Sequence, residues 1–249
     1  MDLCAALQRR LPADAFFCGL TSAYLFGMPL PTSWKLATPL HVAVPAPSTS
    51  PIGRGIRGHS YRVRDDDVTI IRGIRTSSAV RTWCELSAIL SLEDLVAVGD
   101  FIIHWESPLA NHNDMVGFAR NFPSPRGRGR RRDALPLLHE RSESRRESIL
   151  RIIFVRAHLS GLEVNFPIKT SGGFRYRADL AFPEARIVVE YQSAFHETPD
   201  RFRSDMTRKS RLTTDGWSVV EVNSDDLLRP VELVTRLRQL LKNRATRGR

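Results

Sequence analysis

Two carboxylates, Asp179 and Glu190, lie eleven residues apart in "RADLAFPEARIVVEYQSAFH", on either side of the short connection Pro183-Glu184-Ala185. Gln192 lies two residues beyond Glu190, so in extended chain it points to the same face. His196 follows in the segment leading to the next helix. Asp179, Glu190 and Gln192 carry hard oxygen donors, the type that suits Mg²⁺ or Mn²⁺ rather than zinc. The chemistry open to such a set is metal-assisted phosphodiester hydrolysis, in which a bound water is acidified and charge on the leaving oxygen is stabilised.

These residues need elements to position them. Phe174 to Phe182 and Arg186 to Tyr191 read as strands, and so short a connection makes them antiparallel neighbours. If Phe182 pairs with Arg186, Asp179 falls opposite Val189 and Glu190 points to the other face. If Phe182 pairs with Ile187, Asp179 falls opposite Glu190. One residue of register separates the two arrangements, and the local sequence leaves both open. Two like charges side by side are unfavourable unless a cation joins them.

Around this hairpin the pattern gives a helix over Ser144 to Leu159 and a strand over Glu163 to Ile168, with Pro167 marking a sheet edge or bulge. A helix over Asp200 to Thr213, a strand over Trp217 to Val222 and a helix over Asp226 to Leu241 complete the order αβββαβα. Ser144-Arg-Arg-Glu147 fits a capping box, so Glu147 has a purely local use beside any role in the site. Likewise Asp179 could be a turn residue at a strand end, and His196 a solvated loop histidine. A carboxylate ending the apolar run of Glu190 is costly to bury unless paired or ligated.

The first hundred residues show no such constellation. Short helices are expected over Asp2 to Leu11 and Thr21 to Phe26, and a strand over Leu40 to Val44. A hairpin is expected from Ser60–Arg64 and Val68–Ile71 about the turn Asp65-Asp66-Asp67. Helices over Ser77 to Ile89 and from Ser91 to about His104 follow, with Arg81 and Glu85 pairing at i, i+4 on the helix surface. Between the halves, "NFPSPRGRGRRRDALP" has neither period and reads as a linker. The expected organisation is 1–105 α/β domain, 106–139 basic linker and 140–249 second domain.

The net charge is +10, with an excess of +1 over 1–105, +3 over 106–139 and +6 over 140–249. A basic second half points to a polyanionic partner, nucleic acid first. Arg201, Arg208, Lys209 and Arg211 on one helix, and Arg130, Arg131 and Arg132 in the linker, are the expected phosphate contacts. The rival use is an ordinary charged outer face for the helix and a flexible charged tether for the linker. Cys4, Cys18 and Cys84 are widely spaced, arguing for a reducing compartment and against a zinc site. No run approaches a membrane span and no signal peptide pattern opens the chain, so a cytoplasmic protein with no membrane partner is expected.

The constellation resembles the PD-(D/E)XK nuclease superfamily, and "RADLAFPEARIVVEYQSAFH" with "GWSVVEV" looks like its branch allied to very-short-patch-repair (Vsr) endonucleases. The resemblance covers about residues 140–230. It implies a restriction-endonuclease-like core with a mixed sheet, Asp179 and Glu190 as metal ligands joined by the Tyr191 carbonyl, and Mg²⁺ or Mn²⁺ as cofactor. It also puts Glu147 in the place of the first-helix acid and His196 in that of a histidine after the third strand. Gln192 stands where the usual lysine would be, and an amide is neither a cation nor a base. "LTSAYLFGMPLP", "LHVAVP", "GIRGHSYRV" and "VTIIRGIRTSSAVRTWCELS" resemble the domain of AbiEi-type antitoxins, whose members bind DNA as repressors. The implied function is metal-dependent DNA endonuclease activity in repair or in phage or mobile-element defence, with DNA and a toxin or mobile-element product as partners. The alternative is a non-catalytic DNA-binding regulator that keeps the nuclease fold as a scaffold.

Overall fold

A computed structural model describes residues 1–192 and 199–247, and side chains outside 199–202 and 247. The chain forms two compact units, Met1–Glu140 and Arg141–Arg249, each mixed α/β.

In the first unit, α1 (Asp2–Gln8) and β1 (Phe16–Phe17) lead to α2 (Gly19–Phe26). Gly27 ends α2 in the left-handed conformation, at φ 74°, which glycine adopts without a Cβ penalty. Then come β2 (Leu40–Pro45), β3 (Ile56–Tyr61), a 3₁₀ turn at Asp65–Asp67, β4 (Val68–Ile71) and β5 (Ile74–Ser77). The sheet order is β3-β2-β1-β5-β4. The hairpin expected between Ser60–Arg64 and Val68–Ile71 therefore does not form, since β3 and β4 lie on opposite edges. Instead β4 turns back on β5 through Arg72 and Gly73, both at positive φ. The acidic turn is used otherwise: buried Asp67 takes the guanidinium of Arg81 at 2.6 Å.

Four helices complete this unit: α3 (Ala79–Leu86), α4 (Leu92–Ile102), α5 (His112–Asn121) and α6 (Arg128–Ala134). Ser78 and Ser91 cap α3 and α4 through their side chains. Arg81 does pair with Glu85, at 2.7 Å, but with side chains only 2% and 6% exposed, so the pair is a core feature and not a surface one. Segment 106–139, expected as a linker, is built into this unit instead. Met115 and Ala134 are fully buried, and so is Arg131, which donates to Ser87 Oγ, Arg126 O and Ser124 O and lies over the Phe122 ring. A buried arginine that satisfies backbone carbonyls orders a glycine- and proline-rich segment that composition alone marks as loose.

The second unit runs α7 (Arg145–Arg156), β6 (Glu163–Lys169), β7 (Arg175–Phe182), β8 (Ile187–Tyr191), α8 (Pro199–Thr214), β9 (Ser218–Val222), α9 (Ser224–Leu228) and α10 (Pro230–Arg247). The sheet order is β6-β7-β8-β9, antiparallel except for the parallel pair β8–β9. Pro167 sits on the edge strand β6, where a missing N–H is tolerated. Helices cover both faces: Leu150 and Phe154 of α7 and Leu233 and Leu237 of α10 pack on Leu180, Phe182, Ile187 and Val189, while Leu212 of α8 packs against Ala178, Ala181 and Val188. Among the described residues, no helix is long and apolar enough to cross a membrane.

Candidate functional site

The site begins with the register that the local sequence leaves open. Phe182 stands opposite Ile187, Ala181 opposite Val188 and Leu180 opposite Val189. The paired rungs stop one residue short of Asp179 and Glu190, which lie near enough for the Asp179 charge to raise the Glu190 carboxyl. The Tyr191 N–H lies close enough to favour the ionised form of the Asp179 carboxylate against its burial.

The two strands also change facing at this point. On β7, Leu180 and Phe182 pack toward α7 and α10, whereas Ala178 packs toward α8. On β6, Val164 and Phe166 divide in the same way. Asn165, between them, holds φ at 56°, a left-handed setting that asparagine tolerates better than most residues. Its amide donates to Glu143 at 2.8 Å, and Glu143 pairs with Arg177 at 2.7 Å. Asp179 thus sits where the pleat reverses, able to influence groups on both faces of the sheet.

Its charge reaches both. Burial, and then Asp179, push Glu147 of α7 up to about 7. Glu190 is 4% exposed; its carboxyl is raised by burial, an effect that Arg208 opposes and Asp179 and Asp205 reinforce. Asp179 is itself raised by burial, with the Tyr191 N–H and Arg208 acting against this. Glu147 also has the local use foreseen for it, with a small difference. Ser144 Oγ accepts the Glu147 N–H at 3.2 Å, while Glu147 Oε2 accepts the N–H of Glu143, one residue before the cap.

Arg208 turns inward, its Nη2 2.7 Å from Glu190 Oε2 and 3.4 Å from Asp205 Oδ1. Lys209, the next residue, pairs with Glu221. Glu221 also accepts the Gln192 side-chain amide at 2.7 Å, and the Gln192 N–H donates to Val222 O at 2.7 Å. Sequence reasoning overlooked Glu221. Its signal is a repeated tripeptide: Val188-Val189-Glu190 and Val219-Val220-Glu221 lie side by side, residue for residue, in the parallel pair β8–β9.

Arg211 stacks 3.3 Å over the Phe174 ring centroid and donates to the Tyr176 hydroxyl. Arg146 covers the Tyr191 ring at 4.8 Å. His196 and the Arg201 side chain lie outside the described residues. Arg130, Arg131 and Arg132 belong to the first unit, where Arg130 donates to Ser87 O and Arg132 pairs with Asp133.

Among the described residues, no three His, Cys, Asp or Glu side chains are gathered as a ready metal cage. The donor chemistry of Asp179, Glu190 and the Tyr191 carbonyl nonetheless suits a hard divalent ion. The mutual pKa effects mark an accumulation of negative charge that a cation would relieve.

What the fold and site define is a two-unit mixed α/β protein with an acidic cluster at a strand hairpin. No family model matches the chain, and no solved structure matches it. Two uncharacterized proteins from two strains of Mycobacterium tuberculosis are each 36% identical to it over 117 residues, covering 44% of this chain. The match takes in 43% of each relative, so the chain spans less than half the length of the curated relatives it matches.

Proposed function

We propose that the second unit is a metal-dependent DNA endonuclease of the restriction-endonuclease-like type, allied to the Vsr branch, working in repair or in defence against phage and mobile elements. The observation that carries this reading is the nearness of three carboxylates, the Asp179 charge acting on both Glu190 and Glu147. Asp179, Glu190 and the Tyr191 carbonyl would hold Mg²⁺ or Mn²⁺, which when bound supplies a Lewis acid for the scissile phosphate and an acidified water. Gln192 orients water or substrate through its amide. Glu147, raised to about 7, can take or give a proton near neutral pH. Lys209 supplies the positive charge that Gln192 lacks, held beside it on the shared partner Glu221. The basic surface of this unit binds backbone phosphates, and affinity falls with salt.

A second reading has its own observation. Arg208 already neutralises Glu190, as expected of a scaffold in which the acid has become a structural ion pair. The protein would then be a non-catalytic DNA-binding regulator, its antitoxin-like first unit serving a toxin partner. Plasmid nicking with Mg²⁺ or Mn²⁺ separates the two. Cleavage by the wild type that is lost in Asp179→Ala and Glu190→Ala supports the nuclease. Salt-sensitive DNA retention without any cleavage supports the regulator.

A further inference from the structure

The arginine-rich stretch expected as a linker forms one wall of a cleft of 880 Å³ in the first unit, between α5 and α6. Arg120, Arg128, Arg132 and His112 line it together with apolar Val116 and Leu135, and no carboxylate belongs to the lining. Arg132 is answered by Asp133 outside the cleft, and the His112 Nε2 meets Leu135 O at 3.2 Å. Arg120 and Arg128 make no side-chain hydrogen bond or ion pair among the described residues. Arg131, 2% exposed, closes the cleft from beneath with its Nε buried and unpartnered. Burial lowers the pKa of Arg131, an effect that Cys84 opposes and the nearby charge of Arg128 reinforces.

We propose that this cleft is a nucleotide-binding site, taking a phosphate on Arg120 and Arg128 and a base on the apolar floor of Val116 and Leu135. Guanidinium forks match phosphate oxygens two at a time. The volume lies within the range of small-molecule sites, which pair an apolar lining with a few converging polar groups. A bare anion would use the rim and leave the floor exposed. The nucleotide can be free or can be the phosphorylated end of a strand, since both present the same phosphate and base. The site is independent of Asp179 and Glu190, which belong to the other unit.

The test is titration calorimetry on the full chain at about 50 mM salt, where phosphate contacts are little screened. The ligands are ATP, GTP, inorganic pyrophosphate and a short 5′-phosphorylated single-stranded oligonucleotide, and the proteins are wild type, Arg120→Ala/Arg128→Ala and Asp179→Ala. We expect one saturable site for a nucleoside triphosphate or for the strand end. It should weaken about tenfold or more in the double variant, the worth of losing charge-assisted hydrogen bonds, and persist in Asp179→Ala. ATP binding alone assigns the free nucleotide, and binding of the oligonucleotide alone assigns the strand end. Pyrophosphate binding as tightly as ATP overturns the nucleotide assignment. No saturable binding, or binding unchanged in the double variant, overturns the site. Because the closing comparison keeps Asp179→Ala as a binding control, a failed nuclease assay leaves this result readable.

Discussion

Glu190 and Glu221 occupy the same rung of two adjacent parallel strands, and two successive residues of α8, Arg208 and Lys209, answer them one each. Like charges on neighbouring strands repel, so the helix is tied to the sheet by the cations that relieve that repulsion. The two pairs differ in exposure. The Glu190 side chain is 6% exposed and that of Glu221 45%.

That difference sets a ranking of stabilities. Arg208→Ala leaves a buried carboxylate without its cation and should cost about 2 kcal/mol, with the partly exposed arginine discounted from the fully buried case. Lys209→Ala should cost less than about 1 kcal/mol, as exposed pairs do. Urea denaturation followed by circular dichroism measures both. Equal losses would mean that α8 is held by its apolar face alone.

If the nuclease reading holds, Lys209→Ala should lower the cleavage rate about tenfold or more while DNA retention changes little, because the lost charge acts on the reaction and not on docking. Gln192→Lys should restore part of that loss when added to Lys209→Ala. Single-turnover cleavage of a plasmid substrate, with filter retention alongside, reads both quantities. A loss confined to retention would reassign Lys209 to backbone contact.

Arg81 is sandwiched between Asp67 and Glu85, and Glu85 also accepts the Gly19 N–H and the Ser77 hydroxyl. Arg81→Met should therefore destabilise the first unit by about 3–5 kcal/mol, the cost of leaving buried carboxylates unpaired. Arg81→Met combined with Glu85→Gln should recover part of it. Thermal unfolding of the three proteins checks the order.

His41 and His59 stack with ring centroids 5.3 Å apart and share a hydrogen bond, while Tyr61 caps the far nitrogen of His59. Burial, then His59 and Arg57, lower His41 to about 4 from its usual 6.5. The folded state thus holds His41 neutral where the unfolded chain would protonate it. Its contribution is fully present above about pH 6.5 and is lost as pH falls toward 4. His41→Gln should flatten the fall of the melting temperature over that window. An unchanged slope would place the acid sensitivity elsewhere.

Truncation tests the first unit's boundary. A fragment of residues 1–140 should unfold cooperatively, whereas 1–105 should not, since it lacks Met115, Arg131 and Ala134, all buried. Calorimetry shows whether each fragment has a cooperative transition.

Much of the second unit can be read from the chain. Apolar periodicity, Ser144 as a cap and the short connection before Arg186 are local signals, and the helices and strands they imply are present, with one exception. The closing helix expected over Asp226 to Leu241 is two, α9 and α10, parted at Arg229 before Pro230. The chemical type of Asp179 and Glu190 is equally local. In the first unit local signals mislead on strand pairing and on burial, the Arg81–Glu85 pair included. β3 and β4 flank a turn yet belong to opposite edges, and the arginine-rich stretch looks loose but is packed. Strand partnership and arginine burial both depend on distant residues, here β5 for the one and the Ser87 hydroxyl for the other.

By itself, then, the sequence determined which residues could do chemistry and which elements carry them, because side-chain type and periodicity are properties of a few neighbouring positions. Only the tertiary structure decided the one-residue register, which sets Phe182 opposite Ile187. It also turned Arg208 from a surface contact into the half-buried partner of Glu190, and paired Glu221 with Lys209 and Gln192. The physical reason is shared: register and ion pairing are settled by what packs on both faces of a sheet, and those groups come from α7, α8 and β9, far along the chain.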